Sequence, residues 1–404
     1  MKKGWEIKKL GEVCSIVGGG TPSKKNSKFY EGDIPWATVR DMKQEVIHNT
    51  EFKITQEAVK KSSTNIIPGR NVIIATRVGL GKICFIETDT AINQDLRGII
   101  PKNEKNLDVT YLFYWFKSVS HLIIAEGKGA TVQGITLPFI KNIQIPLPPL
   151  PEQQRIVSIL DVCFAAIDQA KANAEQNLRY ARELFESYLQ GVFEKKGEGW
   201  EQTSLKKEID LILGYAFKSK GYSDSEDDIL LVRGDNIMQG FFRWDDAKRW
   251  KRSEYNDFNK FQLQENDIVL AMDRPWVNAG LKIAKISKSE LPALLVQRTA
   301  SIRAKSSIDS SFLFYMLKSK RFMQYLIGVQ TGIGVPHISG QQILDFDFYK
   351  PATKEQQTFV NNFEALNAET QKLEAVYQQK IANLEELKKS ILKKAFTGEL
   401  SAVN

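Results

Sequence analysis

The chain has 404 residues, 42% of them apolar and 26% charged, which is typical of a globular protein with two or three domains. No apolar run approaches the ~20 residues that a membrane helix needs, and MKKGWEIKKLGEV has no apolar stretch after its lysines, so we expect neither a membrane span nor a secretory signal. The net charge of +8 favours a polyanionic partner, usually nucleic acid, although many proteins are mildly basic for no specific reason.

Residues 1–150 are predicted to form an α+β domain built around a curved β-sheet. Short runs rich in Val, Ile, Gly and Asn, such as NVIIATRVGLGKICFIE at 71–87, indicate strands separated by close turns. The run YLFYWFKS at 111–118 indicates a helix that interrupts these strands.

A long helix is predicted over residues 151–196, after the proline-rich stretch LPPLPEQQRIV at 147–157. Pro151 pre-sets the backbone dihedral at the helix entry, and the prolines before it hold the chain extended. Glu152 suits the positive end of the helix dipole. The prolines therefore end the first domain and direct the helix that follows.

The second half of the chain repeats the first half. GWE occurs at 4–6 and 199–201, DVTYLFYWFKS at 108–118 returns as DSSFLFYMLKS at 309–319, and LPPLPEQQRIV returns as KPATKEQQTFV at 350–360. The offset grows from 195 to 203, so about eight residues are inserted in the second copy. The repeat predicts a second α+β domain at 197–352 and a second long helix with a C-terminal tail at 353–404.

The two long helices carry a heptad pattern typical of a coiled coil. The inward positions are Ile156, Leu160, Cys163, Ile167, Ala170, Ala174, Asn177, Ala181, Leu184 and Tyr188 in the first helix, and Phe359, Phe363, Leu366, Thr370, Leu373, Tyr377, Lys380, Leu384, Leu387 and Ile391 in the second. Since the first set is rich in alanine and the second in bulky side chains, we expect the helices to pair with each other. A pseudo-two-fold relation between the repeats would make the pair antiparallel, separate the two domains, and bring Lys380 near Asp168.

Motifs of common catalytic sites are missing from the sequence. GLGKIC at 79–84 has Cys84 where a dinucleotide-binding motif needs its third glycine, and its GK is not part of a Walker loop. EFK at 51–53 imitates part of a nuclease site, but such tripeptides occur by chance. The three cysteines form no C-x-x-C pair and the three histidines are scattered, so we expect no metal site and a reducing, cytoplasmic environment.

Basic and hydrogen-bonding side chains cluster in the loops of both predicted domains. The first domain has Lys24, Lys25, Lys28, Arg77, Lys82, Gln94, Arg97, Lys128, Thr131 and Gln133, and the second has Lys218, Lys220, Arg274, Trp276, Gln297, Arg298 and His337. Lysine contacts phosphate without reading sequence, whereas arginine and glutamine can bind the edges of guanine or adenine. For each residue alone a solvated surface group is the preferred interpretation, and the clusters as sets are better candidates than their members. GGGTPS at 18–23 can be a phosphate-binding turn or an ordinary tight turn.

Three stretches carry a family resemblance that extends over the whole chain. GWEIKKLGEVCSIVGGGTPSKKNSKFYEGDIPWATVRDM at 4–42 resembles the opening of a target recognition domain, IPLPPLPEQQRIVSIL at 145–160 its junction with a spacer helix, and LKKSILKKAFTGEL at 387–400 the C-terminal ending of the family. The family is that of the specificity subunits of type I restriction–modification complexes. The second copy departs from the pattern, because KPATKEQQ keeps one proline and its opening lacks the Gly-Thr-Pro turn.

The resemblance implies a non-catalytic DNA-recognition subunit without a cofactor of its own. Residues 1–150 and 197–352 would be target recognition domains, each reading one half of a bipartite, asymmetric site in double-stranded DNA. The helices in 151–196 and 353–404 would set the spacing and dock two methyltransferase subunits. Those subunits would use S-adenosylmethionine to methylate a flipped adenine, and motor-nuclease subunits would use ATP and Mg.

Two other functions remain open from the residues alone. A stand-alone nuclease would show metal-dependent cleavage by the isolated chain. A coiled-coil adaptor without a DNA role would show negligible DNA affinity that does not change with salt, whereas phosphate contacts predict a steep fall.

Overall fold

The computed structural model describes residues 4–127, 134–194, 196–277, 280–332 and 334–400. These residues form two compact units: the first contains the described residues up to Glu175 together with those from Gln378 onward, and the second is Gln176–Tyr377. Each unit holds one β-sheet domain and parts of both long helices. The predicted α+β class, with two sheet domains and two long helices packed together, is confirmed.

The first repeat contains eleven strands and five α-helices among its described residues. In chain order they are β1 (Glu6–Lys9), α1 (Leu10–Val13), β2 (Cys14–Gly18), β3 (Ile34–Ala37), β4 (Val46–Ile47), β5 (Phe52–Ile54), α2 (Gln56–Lys60), β6 (Asn65–Ile67), β7 (Val72–Ala75), β8 (Ile83–Ile86), β9 (Thr90–Ile92), β10 (Leu96–Pro101), α3 (Val109–Glu126), α4 (Leu137–Asn142), β11 (Gln144–Leu147) and α5 (Leu150–Glu194). A 3₁₀ turn spans Ser27–Tyr30.

The second repeat returns these elements with changes in its loops. They are β12 (Glu201–Ser204), α6 (Leu205–Glu208), β13 (Ile209–Leu213), β14 (Ile229–Val232), β15 (Arg249–Trp250), β16 (Ile268–Ala271), β17 (Trp276–Val277), β18 (Gly280–Leu281), β19 (Ile283–Lys285), β20 (Ala293–Leu295), β21 (Thr299–Ala304), α7 (Ser310–Leu317), α8 (Lys320–Val329), α9 (Gly340–Leu344), β22 (Asp347–Lys350) and α10 (Thr353–Thr397). Its 3₁₀ turns are Ser219–Gly221, Arg252–Phe261 and Lys288–Glu290.

The sheets of the two repeats share the order of their common strands, while β4 and β6 of the first repeat have no counterpart among the described strands of these sheets in the second. The main sheet has the order β2-β10-β7-β8-β4 in the first repeat and β13-β21-β16-β19 in the second. The second sheet, β5-β3-β9-β6 or β15-β14-β20, contains one parallel pair in each case, β3 with β9 and β14 with β20. Strands β7 and β16 are buried along their whole length, which fits their uninterrupted apolar sequences. The duplication predicted from sequence is therefore also a duplication of strand order.

The helix that follows the last strand of the main sheet, α3 in the first domain and α7 in the second, is capped at its N-terminus by an aspartate. The Asp108 side chain accepts a hydrogen bond from Tyr111 N, and Asp309 accepts from Phe312 N, as N-cap residues do. Helix α3 continues to Glu126, well beyond the predicted 111–118. The second repeat instead breaks at Ser319, whose side chain caps the new helix α8. The two domains therefore share the start of this helix and differ in its end.

In the first unit the beginning of α5 packs antiparallel against the end of α10. Lys171 Nζ lies 2.6 Å from Glu385, and Lys388 Nζ lies 2.8 Å from Asp168, so residue numbers rise along one helix and fall along the other. The antiparallel direction is confirmed, but the predicted proximity of Lys380 to Asp168 is wrong. The partner of Asp168 lies about two helical turns further along α10, because the heptad pattern indicates a direction without fixing where the two helices cross.

In the second unit the end of α5 packs antiparallel against the beginning of α10. Arg182 Nε lies 3.1 Å from Glu374, and the Tyr188 and Phe363 rings meet edge to face with 5.6 Å between their centroids. Phe185, Leu189 and Phe193 belong to a buried core with Phe363 and with side chains of the sheet domain. The helix thus contributes to both the coiled coil and the domain core.

Five of the predicted inward positions are exposed and do not belong to the buried seam: Leu184, Leu373 and Leu387, by 53%, 41% and 47%, and the polar Asn177 and Lys380. A strict heptad drifts by ~20° per repeat on a straight helix, and α5 buries the neighbouring face that contains Phe185. Of the other predicted positions, Ile156, Leu160, Ile167 and Phe363 are buried, and Tyr188, Phe359, Tyr377, Leu384 and Ile391 are half-buried.

Across the described parts of the chain, no helix is both long and apolar enough to cross a bilayer.

Candidate nucleic-acid interface

The glycine turn after β2 packs too closely against the main chain for any larger residue. A Cβ atom at Gly19 would lie 2.2 Å from the carbonyl oxygens of Ile92 and Asn93. The Gly20 amide donates to the Ile92 carbonyl at 3.0 Å, and the Gly20 carbonyl accepts from Trp36 Nε1 at 3.1 Å. Since this amide is already bonded within the protein, the geometry favours the tight-turn interpretation over a phosphate-binding turn.

An open cleft of about 830 Å³ adjoins the glycine turn. It is lined by Thr21, Lys24, Ser27, Tyr30, Trp36, Thr38, Val39, Arg40, Phe52, Val78, Asn93, Gln94 and Asp95. The Trp36 and Phe52 rings meet edge to face at 6.4 Å and supply an aromatic wall. Two predicted residues, Lys24 and Gln94, therefore meet at one site, together with Arg40, which the sequence did not suggest.

The loop before β10 is held by hydrogen bonds within the domain. The Gln94 side chain bonds Thr21 Oγ1, and its Nε2 donates to Asp95 at 3.2 Å. Arg97 Nη1 donates to the carbonyls of Gln94 and Leu96 at 3.2 and 2.8 Å. Burial, and then the nearby Arg77, lowers the pKa of the Arg97 guanidinium. Arg97 thus stabilises the loop that presents Gln94, instead of extending into solvent.

The remaining described cations predicted in the first domain are exposed. Lys25 and Lys28 lie at the 3₁₀ turn, and Arg77 and Lys82 flank the turn between β7 and β8. Gly79 and Gly81 give that turn its left-handed backbone, with φ of 77° and 85°. Lys128, Thr131 and Gln133 lie outside the described residues.

In the second domain three loops meet at Asp273. Arg298 Nη1 lies 2.5 Å from one carboxylate oxygen of Asp273, and His337 Nδ1 lies 2.5 Å from the other. The amide of Arg274 donates to the carbonyl of Pro336 at 2.9 Å. The sequence did not suggest Asp273 as part of the site, yet this residue joins Arg298 and His337, two of the predicted DNA contacts.

Asp273 is ionised at neutral pH. Partial burial opposes ionisation, but the hydrogen bonds from His337 and Arg298 outweigh it and hold the pKa of Asp273 below its ordinary value of 3.8. The carboxylate therefore stays charged throughout the physiological range, and its contacts with Arg298 and His337 orient both side chains.

Other predicted residues of the second domain surround this cluster or lie on separate loops. Trp276 Nε1 donates to Gln330 Oε1 at 3.0 Å. Gln297 is exposed next to Arg298, and the backbone amide of Gln297 donates to the carbonyl of Tyr215 at 2.7 Å. Lys218 and Lys220 are exposed at the 3₁₀ turn Ser219–Gly221, and Arg274 is exposed with a left-handed φ of 46°.

The two domains carry opposite charges at two equivalent positions. The amide of Thr76, the residue after β7, donates to the carbonyl of Asp95 at 2.8 Å. The amide of Met272, the residue after β16, donates to the carbonyl of Arg298 at 2.9 Å. Asp95 and Arg298 are therefore equivalent, and so are the next residues of the two turns, Arg77 and Asp273. The arginine Arg77 of the first domain thus stands where the second domain has Asp273, and Asp95 stands where the second domain has Arg298.

A buried glutamine joins each domain to its long helix. Gln153 Oε1 accepts from the amide of Asp108 at 2.9 Å, and its Nε2 donates to the carbonyl five residues earlier at 2.8 Å. Gln356 makes the same two bonds, to the amide of Asp309 at 2.8 Å and to the carbonyl five residues earlier at 2.9 Å. The repeated EQQ was visible in the sequence, but its structural role depends on contacts with a distant cap residue.

The family model described as type I restriction modification DNA specificity domain matches residues 2–177 and 197–385 of the chain. The chain belongs to this family. It is a DNA specificity subunit of a type I restriction–modification system and the non-catalytic part of that enzyme complex. The family resemblance inferred from the sequence motifs is thereby confirmed.

Relatives of this specificity subunit match along its full length. It is 26% identical to the MjaVIII specificity subunit of Methanocaldococcus jannaschii, with 99% of this chain and 94% of the relative covered. It is 24% identical to the EcoKI specificity subunit of Escherichia coli, with 100% and 90% covered. The match therefore includes both repeats.

Solved structures share the fold of the specificity subunit. One belongs to a study of complex assembly and conformational transition of the type I R-M system, with a TM-score of 0.80, 18% identity and 99% of each chain covered. Another is the HsdS subunit from Thermoanaerobacter tengcongensis, with a TM-score of 0.64, 18% identity, and 99% of this chain and 98% of that chain covered. The individual DNA-contacting residues remain predictions.

Proposed function

We propose that residues 1–150 and 197–352 are target recognition domains and that each reads one half of a bipartite, asymmetric DNA site. The observation that carries this proposal is the exchange of charge between equivalent loops: one strand order presents Arg77 and Asp95 in the first domain, and Asp273 and Arg298 in the second. A shared framework with different loop chemistry suits two different half-sites. The net charge of +8 adds attraction to the DNA backbone.

The helical segments 151–196 and 353–404, the latter with the C-terminal tail, would fix the distance between the half-sites. Helices α5 and α10 have 45 residues each, about 68 Å at 1.5 Å per residue. Two readers on one face of DNA need a separation of ~34–36 Å per helical turn. The buried Gln153 and Gln356 support this role, because they tie each domain to its helix.

The long helices would also dock two methyltransferase subunits. Val162, Tyr180 and Val376 on these helices are 69%, 55% and 60% exposed, and large apolar side chains in water are a feature of partner-binding surfaces. The methyltransferase subunits would bring S-adenosylmethionine, motor-nuclease subunits would bring ATP and Mg, and this chain would hold no cofactor. The complex would act on double-stranded DNA in the cytoplasm.

Mapping of methylated adenines tests the proposal directly. The chain is expressed with its methyltransferase partner in a host that lacks adenine methylation, and the methylated positions are read by sequencing. We expect one motif of two short half-sites separated by a constant run of unread bases. An uninterrupted motif, or a gap of variable length, would contradict the two-reader interpretation.

Deletion of four residues from the middle of α5 tests the role of the helices. The deletion changes both the length and the rotation between the ends of the helix, so methylation of the original motif should be lost. A variant with four exposed residues of the same segment changed to alanine controls for local damage. Continued methylation at the original spacing would contradict the spacer role.

The two alternative functions make separate predictions for the purified chain. A nuclease would cleave DNA when supplied with Mg²⁺ or Mn²⁺ in the absence of partner subunits. An adaptor without a DNA role would show no salt-dependent binding, whereas phosphate contacts give a linear fall of log K with log salt concentration. We expect salt-dependent binding by the complex and no cleavage by the chain alone.

A further inference from the structure

We propose that Arg298, held in place by Asp273, reads a guanine in the half-site bound by the second domain. The proposal rests on the proposed function of that domain and adds the residue pair and the base that it selects. Asp273 is a positioning residue in this arrangement, and Arg298 makes the contact with DNA.

The geometry fixes one end of the arginine and leaves the rest accessible. Arg298 Nη1 lies 2.5 Å from Asp273 Oδ2, yet the Arg298 side chain is 70% exposed while that of Asp273 is only 18% exposed. A guanidinium anchored through one nitrogen can present its other N–H groups in a fixed direction. Guanine offers two acceptors, O6 and N7, on its major-groove edge, and arginine matches them with two parallel hydrogen bonds.

The backbone under Arg298 is also constrained. Its φ of 65° lies in the left-handed region, which non-glycine residues adopt where the surrounding structure imposes it. The next residue, Thr299, is fully buried at the start of β21, and its hydroxyl donates to the carbonyl of Val296 at 2.6 Å. The exposed arginine therefore projects from a rigid strand end, which reduces the conformational freedom lost on binding.

His337 holds the carboxylate from the other side. Its Nδ1 lies 2.5 Å from Asp273 Oδ1, and its main chain pairs with Thr331 through hydrogen bonds of 2.8 and 2.9 Å. Because both carboxylate oxygens are engaged, Asp273 cannot rotate away without losing a bond. The loop that contains His337 thus stabilises the same arginine orientation.

The adjacent carboxylate favours a base contact over a phosphate contact. A phosphate contact requires positive charge without a fixed direction, as exposed Lys218 and Lys220 provide. Asp273 partly neutralises Arg298 and repels a phosphate, so it would weaken such a contact. It strengthens a base contact instead, because bidentate recognition depends on orientation.

Substitutions in the complex with the methyltransferase partner test the assignment. Methylation efficiency is measured on duplexes that carry each of the four bases at every position of both half-sites, for the wild type, R298Q, R298K, D273N and K220Q. We expect R298Q to lower the preference for guanine at one position of the second half-site by about 5- to 150-fold, the contribution of one bidentate pair. The first half-site serves as the internal control, because Asp95 replaces Arg298 there.

The other variants separate orientation from charge. D273N keeps Arg298 but removes its anchor, so it should relax the same position by a smaller factor. R298K keeps the charge, so it should lose the guanine preference while retaining the salt dependence of binding. K220Q should weaken binding to all sequences alike and reduce the salt slope by about one.

Three results would overturn the proposal. They are equal weakening of all sequences by R298Q, an unchanged base preference in R298Q, and relaxation at a position that is not a guanine. If R298Q does not fold, R298K decides between the outcomes, because it retains the cation. A wild-type complex without a bipartite motif would contradict the proposed function itself, whereas a bipartite motif that R298Q leaves intact would contradict only this inference.

Discussion

Lys171 and Glu385 form an ion pair across the two long helices, with 2.6 Å between Nζ and Oε1. The residue 203 positions after Lys171 is Glu374, and the residue 203 positions before Glu385 is Arg182. These two residues form a second pair at 3.1 Å, within the other unit, with the charges exchanged. The same position in each unit therefore carries an ion pair between the long helices, with the charges exchanged between the helices.

Reversal of one charge of this pair should destabilise the protein, whereas reversal of both charges should not. We expect K171E to lower the melting temperature, because it faces one carboxylate with another, and K171E/E385K to restore most of the loss. Thermal unfolding at low and high salt measures the effect, which should shrink as salt screens the exposed charges. A double variant no more stable than the single one would show that the pair does not contribute to the helix interface.

Replacement of the buried glutamine should weaken the junction between domain and helix. Q153M preserves the approximate volume of the side chain but leaves the amide of Asp108 and the carbonyls of Asn106 and Pro148 without their bonds to Gln153. A buried group left in this way costs about 1–3 kcal/mol, so the free energy of unfolding measured in urea should fall by at least that amount. Q154M is the matched control, because Gln154 is the exposed neighbour. Equal effects of the two variants would contradict the role given to Gln153.

The ion pair of Glu208 and Lys350 predicts a pH-dependent stability. Lys350 Nζ lies 2.8 Å from both Glu208 oxygens, and the side chains of Lys350 and Glu208 are 14% and 7% exposed. Burial opposes ionisation of Glu208, but hydrogen bonds from Lys350, Ser307 and Thr203 outweigh it, so its pKa lies below its ordinary value of 4.5. Because the folded pKa is the lower one, the stabilisation is fully present above pH 4.5 and is lost as the pH falls through the folded pKa.

K350M tests this pair in solution. It leaves a buried carboxylate without its cation, which costs about 3–5 kcal/mol at pH 7. The difference in unfolding free energy from the wild type should diminish in acid, where Glu208 becomes protonated in both. The double variant K350M/E208L should recover much of the loss, since it removes the unpaired charge. A difference that stays constant between pH 7 and pH 3 would contradict the assignment.

The cysteines should differ in reactivity toward a thiol reagent. Burial raises the pKa of Cys14 to about 12, against the opposing effect of Lys102, and burial raises the pKa of Cys84 to about 11. Since the thiolate is the reactive form, both should react slowly at pH 8 in the folded protein. The half-buried Cys163 should react first, and C163S should abolish the fast phase. Rapid labelling of C163S would contradict the burial of the other two.

The repeat, the sheet domains and the helix pairing could be predicted, because strand and heptad periods are local features of a sequence. The register of the helix pair could not, as Asp168 shows by pairing with Lys388 and not Lys380. The heptad pattern assigns Leu184 to the seam, although its neighbour Phe185 is the buried residue. A heptad pattern describes one interface, whereas α5 also packs against a domain core.

The DNA-contacting residues were the least predictable part. Arg97 and Arg298 both follow a loop glutamine in the sequence and are both predicted to contact DNA. In the structure Arg97 donates to carbonyls of its own loop, whereas Arg298 is largely exposed beside Asp273. The sequence does not point to Asp273, because an acidic residue is not expected where DNA binds. Its role depends on three loops that are distant in sequence, and only the folded chain brings them together.

The inverted ion pairs also favour one association of the long helices over others when the repeats are considered as separate molecules. In a symmetric homodimer of the first repeat, Lys171 would face Arg182 of the other copy twice, and in one of the second repeat, Glu374 would face Glu385 twice. Both homodimers replace two attractions with two repulsions. Covalent fusion of unlike halves thus keeps two helices of complementary charge in one chain, whereas pairing of like halves would bring like charges together.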